Sequence, residues 1–241
     1  MGASSPIDAY WSRHLGVPAA ALQRSGVVVT PHAELGDYRG VWFFVRGDSA
    51  VVSAPAEWVP RLEDQCGSIA AEELLSHTSA RRILGPAAGQ IVGPSFQGWL
   101  PADHFRPIAS DGVRRLAESE GEFIRALQAS CSHEEWEHAG INPARADVWA
   151  SFQGTQVVAL GQLRSRPGNA VDPCIITHPE HRGAGHGLRL VSAMLERALT
   201  KDQLILYQTL MSNVPSVSLA RYLGFDQYAT LLAVRLGSEA D

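Results

Sequence analysis

The fold of this chain is decided by one stretch of sequence, Ile175-Ile176-Thr177-His178-Pro179-Glu180-His181-Arg182-Gly183-Ala184-Gly185-His186-Gly187-Leu188. An apolar, β-branched run ends before Pro179 and gives way to a loop with three glycines. From there, apolar residues recur at helical spacing, at Leu188, Val191, Leu195, Ala198 and Leu199. The pattern predicts a strand, a glycine-rich turn and a helix.

The three glycines lie where the predicted helix begins, so this part of the chain is suited to bind an anion. The first N–H groups of a helix have no partner within it, and the positive end of its dipole favours a phosphate or pyrophosphate. Arg182 adds a fixed positive charge with bidentate reach. This stretch alone leaves open the alternative of a tight turn without a ligand.

Two common phosphate-binding loops do not fit the stretch. A Walker loop ends in Gly-Lys-Ser/Thr, but the single lysine, Lys201, lies far from the loop. The dinucleotide fingerprint requires a glycine where Leu188 stands. Instead, Arg182-x-x-Gly185-x-Gly187 resembles the coenzyme A loop of the GNAT acetyltransferase superfamily, Gln/Arg-x-x-Gly-x-Gly/Ala.

The composition restricts the class of protein. The 241 residues can bury one or two cores, and the net charge of −5 argues against a nucleic-acid or anionic-membrane surface. The three cysteines have no metal-ligand spacing, so we expect a cytoplasmic protein without a bound metal. The N-terminal segment, Met1 to Asp8, lacks the basic and apolar regions of a signal peptide, and no apolar run is long enough to span a membrane.

The first part of the chain predicts a small α/β domain of unknown role. Helices are predicted at residues 7–15, 19–22, 56–62 and 71–75, and strands at 27–29, 41–45 and 50–52, the last two joined as a hairpin. The glycines and prolines between Gly85 and Pro94 predict turns. Two prolines without periodicity predict a boundary in 101–111, which gives domains 1–107 and 108–241.

The second part predicts an α+β fold with the order β-α-α-β-β-β-α-β-α-β. Two capping boxes, Ser119-x-x-Glu122 and Ser132-x-x-Glu135, predict the starts of its first two helices. Hairpin patterns predict a mixed, largely antiparallel sheet flanked by helices.

A second motif strengthens the resemblance. Asn213-x-x-Ser216, followed by a helix ending Leu223-Gly224-Phe225, is similar to the later GNAT motif, and the two motifs occur in the expected order. The resemblance covers residues 112–236 and implies an N-acyltransferase. Such an enzyme would use acyl-CoA, above all acetyl-CoA as cosubstrate, to acetylate the primary amine of a small acceptor. A homodimer is compatible with this expectation, and a catalytically silent acyl-CoA-binding module is the alternative.

The resemblance also implies residue roles. The strand before the loop would separate from its neighbour, and its backbone at Ile175, Ile176 and Thr177 would pair with the pantetheine arm and polarise the thioester. The pyrophosphate would lie on the backbone amides of Gly183, Ala184, Gly185, His186, Gly187 and Leu188, next to Arg182. Asn213 and Ser216 would approach the sulfur, although Asn213 also suits a plain helix N-cap.

The chain departs from the family pattern at the catalytic groups. Many members carry a tyrosine where this chain has Ala220, and Tyr222 lies about 200° further around the helix, so we expect it to pack. The usual strand carboxylate position is Val171, which leaves its neighbour Asp172 and the helical Glu135 as candidate catalytic residues. Glu135 also suits a plain acidic residue at a helix N-terminus. We expect the loop histidines, His178, His181 and His186, to be exposed and not to bind metal.

Overall fold

The computed structural model describes residues 5–145 and 147–237, so residues 1–4 of the N-terminal segment lie outside it. The helices are α1 (Pro6–Leu15), α2 (Val59–Cys66), α3 (His77–Leu84), α4 (Gly121–Ser130), α5 (His133–Ala139), α6 (His186–Leu199) and α7 (Val214–Leu223). The strands are β1 (Gly26–Pro31), β2 (Gly40–Arg46), β3 (Ser49–Ala54), β4 (Ala88–Trp99), β5 (Val113–Arg115), β6 (Trp149–Gln153), β7 (Gln156–Arg166), β8 (Ala170–Thr177), β9 (Leu204–Leu210) and β10 (Asp226–Leu236).

These elements form two compact units. The first unit contains the described residues up to Trp99, Gln208–Ser218 and those from Gln227 onward. The second unit contains Leu100–Tyr207 and Leu219–Asp226. The chain therefore passes from one unit to the other within β9 and within α7.

The first unit is built on strands in the order β1-β3-β2-β10-β4. The predicted hairpin is confirmed, because β2 and β3 pair antiparallel around Gly47 and Asp48. β1 adds to β3 in parallel, and β10 pairs antiparallel with β2, with Thr230 opposite Val45 and Arg235 opposite Gly40. Side chains from these strands and from α2 and α3 form one core, which includes Val41, Phe43, Val52, Leu62, Leu84, Leu232 and Val234.

One sequence prediction fails in part in this unit. Gly85–Ala87 form a 3₁₀ turn as predicted, but the turns predicted at Gly89, Gly93 and Pro94 are wrong, because these residues lie within β4. The glycines permit close backbone packing: a Cβ on Gly89 would lie 2.8 Å from the Arg235 carbonyl oxygen, and one on Gly93 would lie 2.7 Å from that of Leu231. The β2–β10 ladder places residues 230–235 in the first unit, and the division into domains 1–107 and 108–241 stays a prediction.

The second unit has strands in the order β9-β8-β7-β6-β5 and confirms the predicted order of helices and strands. Its sheet is largely antiparallel, since β5 to β8 pair antiparallel and β8 pairs with β9 in parallel. On one face, Leu127 of α4 and Trp136 of α5 share a core with Cys174 and Ile176 of β8. α6 packs against the opposite face of this sheet. The contact is so close that a Cβ on Gly161 of β7 would lie 2.8 Å from the Met194 side chain.

One of the two predicted capping boxes is present. Ser132 caps α5, and the Glu135 carboxylate accepts a hydrogen bond from the Ser132 N–H, as predicted. The box at Ser119 is wrong, because a 3₁₀ turn, Glu118–Glu120, precedes α4. There, Glu120 accepts the Ala117 N–H and pairs with Arg114, so Glu120 and not Glu122 stabilises this turn.

None of the helices within 5–145 and 147–237 combines the length and apolar character that a bilayer span requires. The three cysteines, Cys66, Cys131 and Cys174, carry free thiols.

Candidate acetyl-CoA site

The glycine-rich loop has the conformation that an anion site requires. Gly183 and Gly185 have φ values of +79° and +81°, a region that side chains other than glycine rarely adopt. Gly185 is the N-cap of α6 and has no side chain to accept a hydrogen bond from the first turn. The first backbone N–H groups of α6 therefore point into the loop without acceptors inside the helix.

Gly187 lets the helix approach the preceding strand. A Cβ at this position would lie 3.3 Å from Thr177 Oγ1 and 3.5 Å from Ile175 Cδ1. The start of α6 therefore lies directly against the end of β8. As a result, the loop amides and the last backbone groups of β8 belong to one continuous surface of the second unit.

Two arginines surround this loop. Arg182 donates from Nε to the Thr177 carbonyl oxygen at 3.2 Å, and its Nη2 lies 2.7 Å from Oε1 of Glu135. Arg189, one turn into α6, donates from Nη1 to the Ala184 carbonyl oxygen at 3.4 Å. Their charges add to the positive end of the helix dipole and favour a pyrophosphate here.

β8 and β9 separate early. Their parallel ladder in the described chain consists of two pairs, Ala170 with Leu204 and Val171 with Ile205. Pro173 gives a physical reason, because proline has no N–H with which to continue a ladder. Pro173 was not among the predicted site residues, although a proline inside an apolar strand signals an interrupted edge.

The alternation of hydrogen bonds in β8 decides which amides can reach a ligand. His178 N–H donates to the Val158 carbonyl oxygen at 2.9 Å, in register with the β7–β8 ladder. Since successive residues of an antiparallel strand point their backbone groups to opposite sides, Ile176 also faces β7. The amides of Ile175 and Thr177 point to the open edge. The predicted contact of the Ile176 amide is thus directed away from that edge.

Asp172, a candidate catalytic residue, is buried and clamped by two arginines. Arg164 contacts it at 3.1 and 2.6 Å, and Arg166 at 3.0 and 3.1 Å, each through Nε and Nη2. The hydrogen bond to Asp172 raises the pKa of Arg164. With both carboxylate oxygens occupied, Asp172 is arranged as an ion-pair partner. Its role as a base stays a prediction that these contacts do not favour.

Glu135, the other candidate, is also engaged. The Ser132 N–H and the Arg182 guanidinium both donate to its carboxylate and hold the pKa of Glu135 below its ordinary value, the Ser132 contact more strongly. A carboxylate with a lowered pKa is a weaker proton acceptor. The base role of Glu135 therefore also stays a prediction, and its contacts fit the positioning of Arg182.

The later motif has its predicted local structure. The Ser216 N–H donates to Oδ1 of Asn213 at 3.2 Å, so Asn213 is the N-cap of α7. The approach of Asn213 and Ser216 to the coenzyme sulfur stays a prediction. Gly224 ends the helix with φ of +99°, and a Cβ on it would collide with the His104 carbonyl oxygen, which explains the glycine in Leu223-Gly224-Phe225.

The remaining predictions concern the tyrosine position on α7 and the three loop histidines. Ala220 is fully buried, whereas Tyr222 is 57% exposed, so the prediction that Tyr222 packs is wrong. His186 is buried and its Nδ1 lies 3.2 Å from Ser151 Oγ, which contradicts the expected exposure. Although the His178, His181 and His186 rings are neighbours, no three metal-ligating side chains are grouped to hold an ion in the described chain.

Comparisons with known proteins agree with this geometry. Residues 113–225 match the model of the acetyltransferase (GNAT) family. Comparison with curated proteins gives no match. A GNAT-family acetyltransferase from Colwellia psychrerythraea is similar in structure, with a TM-score of 0.52, 12% identity and coverage of 82% of this chain and 81% of that one.

Two further solved structures align less closely. A GNAT-family protein from Novosphingobium aromaticivorans aligns with a TM-score of 0.49 and 19% identity, over 64% of this chain and 69% of its own. The yncA protein of Salmonella typhimurium, solved with its cofactor acetyl-CoA, aligns with a TM-score of 0.40 and 18% identity, over 54% of this chain and 95% of its own.

The family match covers the segment that holds the glycine-rich loop, the interrupted β8–β9 ladder and the Leu223-Gly224-Phe225 turn. The Colwellia structure is similar at the level of the fold. The match to the acetyltransferase (GNAT) family therefore rests on residues 113–225, just under half of the chain.

Proposed function

We propose that this protein transfers the acetyl group of acetyl-CoA to the primary amine of a small acceptor. The observation that carries the proposal is the loop at the start of α6, where the glycine conformations leave the backbone N–H groups accessible beside Arg182 and Arg189. This loop would hold the pyrophosphate. The pantetheine arm would lie along the edge of β8 that the ladder with β9 leaves after Val171.

The chemistry follows from the direction of the β8 amides. The N–H groups of Ile175 and Thr177 would donate to the thioester carbonyl and stabilise the oxyanion that forms when the amine attacks. A C–N bond forms, the C–S bond breaks, and coenzyme A leaves as the thiolate. The proton lost by the nitrogen passes to the thiolate through water, because Ala220 offers no hydroxyl at the tyrosine position.

A silent acyl-CoA-binding module is the second candidate. It is favoured by Ala220 and by the engagement of both candidate carboxylates, Asp172 with two arginines and Glu135 with Ser132 and Arg182. The two candidates share the loop and differ in turnover. Binding of acetyl-CoA supports both, and acetyl transfer supports the enzyme alone.

The deciding experiment is an acetyl-transfer assay with a panel of small amines. Its two readouts are the release of the free thiol of coenzyme A and the mass of the product. We expect thiol release that depends on the amine, together with an acetylated product. The Tyr222→Phe variant serves as a control and should retain this rate, because the side chain is exposed and separated from the usual tyrosine position. Stable binding of acetyl-CoA without transfer to any amine would favour the silent module.

A further inference from the structure

His186, the first residue of α6, has a buried side chain that takes no part in the proposed chemistry. Its Nδ1 lies 3.2 Å from Oγ of Ser151 in β6, and the two residues are 9% and 1% exposed. An unpaired polar group in the interior costs free energy, so each of these two groups holds the other in place. The contact joins the start of α6 to the sheet.

Ser151 belongs to a row of residues that crosses the sheet beneath the start of α6. Ser151 lies opposite Ala159 of β7, and Ala159 lies opposite Thr177 of β8. Side chains directly opposite one another in antiparallel strands share one face of the sheet. This face is the one that α6 covers, because Gly161, two residues after Ala159, lies against Met194 of α6. We call Ser151, Ala159 and Thr177 the sheet row.

The sheet row contacts α6 at two consecutive residues. At its β8 end, a Cβ on Gly187 would lie 3.3 Å from Thr177 Oγ1, which shows how closely the helix backbone approaches. At its β6 end, Ser151 bonds with His186. Ala159 between them is fully buried and has only a methyl group, so it leaves room for the helix turn. The backbone of His186 and Gly187 is thus fixed against the sheet at two points.

The start of α6 needs this support because it has no side-chain cap. Gly185 is the N-cap and has no oxygen with which to accept the N–H groups of the first turn. Arg182 and Arg189 bond to carbonyl oxygens near the loop, but both bonds are exposed. The bond between His186 and Ser151 is buried, where water competes less. This bond therefore constrains the helix start without occupying the N–H groups that a phosphate would use.

We propose that Ser151 and His186 are positioning residues for the coenzyme: their hydrogen bond holds the first turn of α6 in the geometry that lets its N–H groups bind the pyrophosphate. This rests on the proposed binding of acetyl-CoA at the glycine-rich loop. A loop already held in its binding conformation loses less entropy when the ligand binds, so the pair raises the affinity for the coenzyme. Neither side chain takes part in the acetyl-transfer step.

The test is calorimetric titration of acetyl-CoA into folded variants of the full chain. His186→Leu and Ser151→Ala each remove the hydrogen bond, and the double variant removes both groups. His186→Asn is the conservative variant, because the asparagine amide lies near the position of Nδ1 and can still bond with Ser151.

Ser53→Ala is the matched control. Ser53 in the first unit is also 1% exposed, and its Oγ lies 2.7 Å from Nδ1 of His32. This variant loses a contact of the same kind between a buried serine and a histidine, at a place that the glycine-rich loop does not include. Comparison with Ser151→Ala therefore separates positioning of the loop from a general loss of stability, which urea denaturation measures in each variant.

We expect acetyl-CoA to bind about tenfold more weakly to Ser151→Ala and to His186→Leu, the effect of one lost buried hydrogen bond. The double variant should bind no more weakly than the weaker single variant, because both substitutions break the same bond. His186→Asn should recover most of the lost affinity, and Ser53→Ala should keep the native affinity. In the acetyl-transfer assay, the KM for acetyl-CoA should rise in Ser151→Ala while kcat is retained.

Native affinity in Ser151→Ala, or losses that add in the double variant, would overturn the positioning role and leave the proposed function standing. An equal loss in Ser53→Ala would also overturn it, because stability and not position would then govern binding. If His186→Leu does not fold, the comparison of Ser151→Ala with Ser53→Ala gives the same decision. A native chain that does not bind acetyl-CoA contradicts the proposed function itself, and the pair then has no coenzyme to position.

Discussion

Glu135 and Arg182 form an ion pair with 2.7 Å between Oε1 and Nη2, which joins the cap of α5 to the glycine-rich loop. The same guanidinium donates from Nε to the Thr177 carbonyl oxygen, so the pair continues into the end of β8. The helix beside the candidate acceptor face and the loop for the pyrophosphate are thus connected by side chains within one unit.

The pair leads to a prediction that separates two roles of Glu135. If Glu135 positions Arg182, the Glu135→Gln protein keeps most of its turnover, because a glutamine oxygen can still accept from Arg182. Loss of a general base costs about 10²–10⁴-fold in kcat. We therefore expect kcat to fall less than about tenfold and acetyl-CoA to bind as well or better, because the negative charge beside the loop is gone. A loss of kcat by 10² or more, with the fold intact, would restore the catalytic role.

Gly224 provides a test of the second unit's packing. Replacing it with alanine places a Cβ against the His104 carbonyl oxygen and requires a residue with a side chain to adopt φ of +99°. We expect a loss of about 3 kcal/mol in the free energy of unfolding, measured by urea denaturation. Gly154→Ala is the matched control, since Gly154 also has positive φ but nothing within 4 Å of its Cβ position. Equal losses in the two variants would contradict the contact.

The buried His186 leads to a pH prediction. Burial, followed by the charges of Arg189 and His181, lowers the pKa of His186 from its ordinary 6.5. The unfolded chain therefore binds this proton more readily than the folded one. The stabilising contribution is complete above pH 6.5 and is lost as the pH falls through the lowered folded-state value.

We expect the free energy of unfolding to fall between about pH 7.5 and about pH 5.5, and to fall less in His186→Asn than in the native chain. His133→Asn, at the exposed start of α5, is the control and should show the native slope. Identical slopes in the native and His186→Asn proteins would remove His186 as the source.

The ladder between β2 and β10 leads to a prediction about truncation. In the full chain, residues 230–235 of β10 pair with β2. A chain that lacks residues 1–107 has no β2, so this long apolar strand would lose its partner and be exposed. We expect such a chain to aggregate or to lack a cooperative unfolding transition, monitored by light scattering and circular dichroism. A monomeric and cooperatively folded 108–241 fragment would contradict the role of β10 in the first unit.

The sequence predicted those parts of the fold whose signals are local. The order of elements from β5 to β10 was predictable because each helix has its own apolar periodicity, and because Ser132 with Glu135 and Gly224 encode helix ends within a few residues. β4 was missed because its glycines and prolines resemble turns until the neighbouring strand is known. The placement of β10 beside β2 depends on residues nearly two hundred positions apart, for which one sequence gives no signal.

The candidate site also has parts that are visible in the local sequence and parts that are not. The glycine-rich loop is a local pattern and was predicted residue by residue. The partners of its charged groups were not, because the Arg182–Glu135 and Arg164–Asp172 pairs join different elements. Pro173 was a visible signal of the interrupted ladder. It gains that meaning once β9 is known to be the neighbour of β8.

The central claim, that the loop from Arg182 to Leu188 binds acetyl-CoA, is tested most directly by calorimetric titration of acetyl-CoA into three proteins. They are the native chain, Gly185→Val in the loop and Gly154→Val in the β6–β7 turn, which imposes similar backbone strain away from the loop. Both variants should lose about 1–2 kcal/mol of stability from a side chain at positive φ. We predict binding to the native protein and to Gly154→Val, with affinity lost in Gly185→Val. Unchanged affinity in Gly185→Val, or no binding to the native protein, would contradict the account.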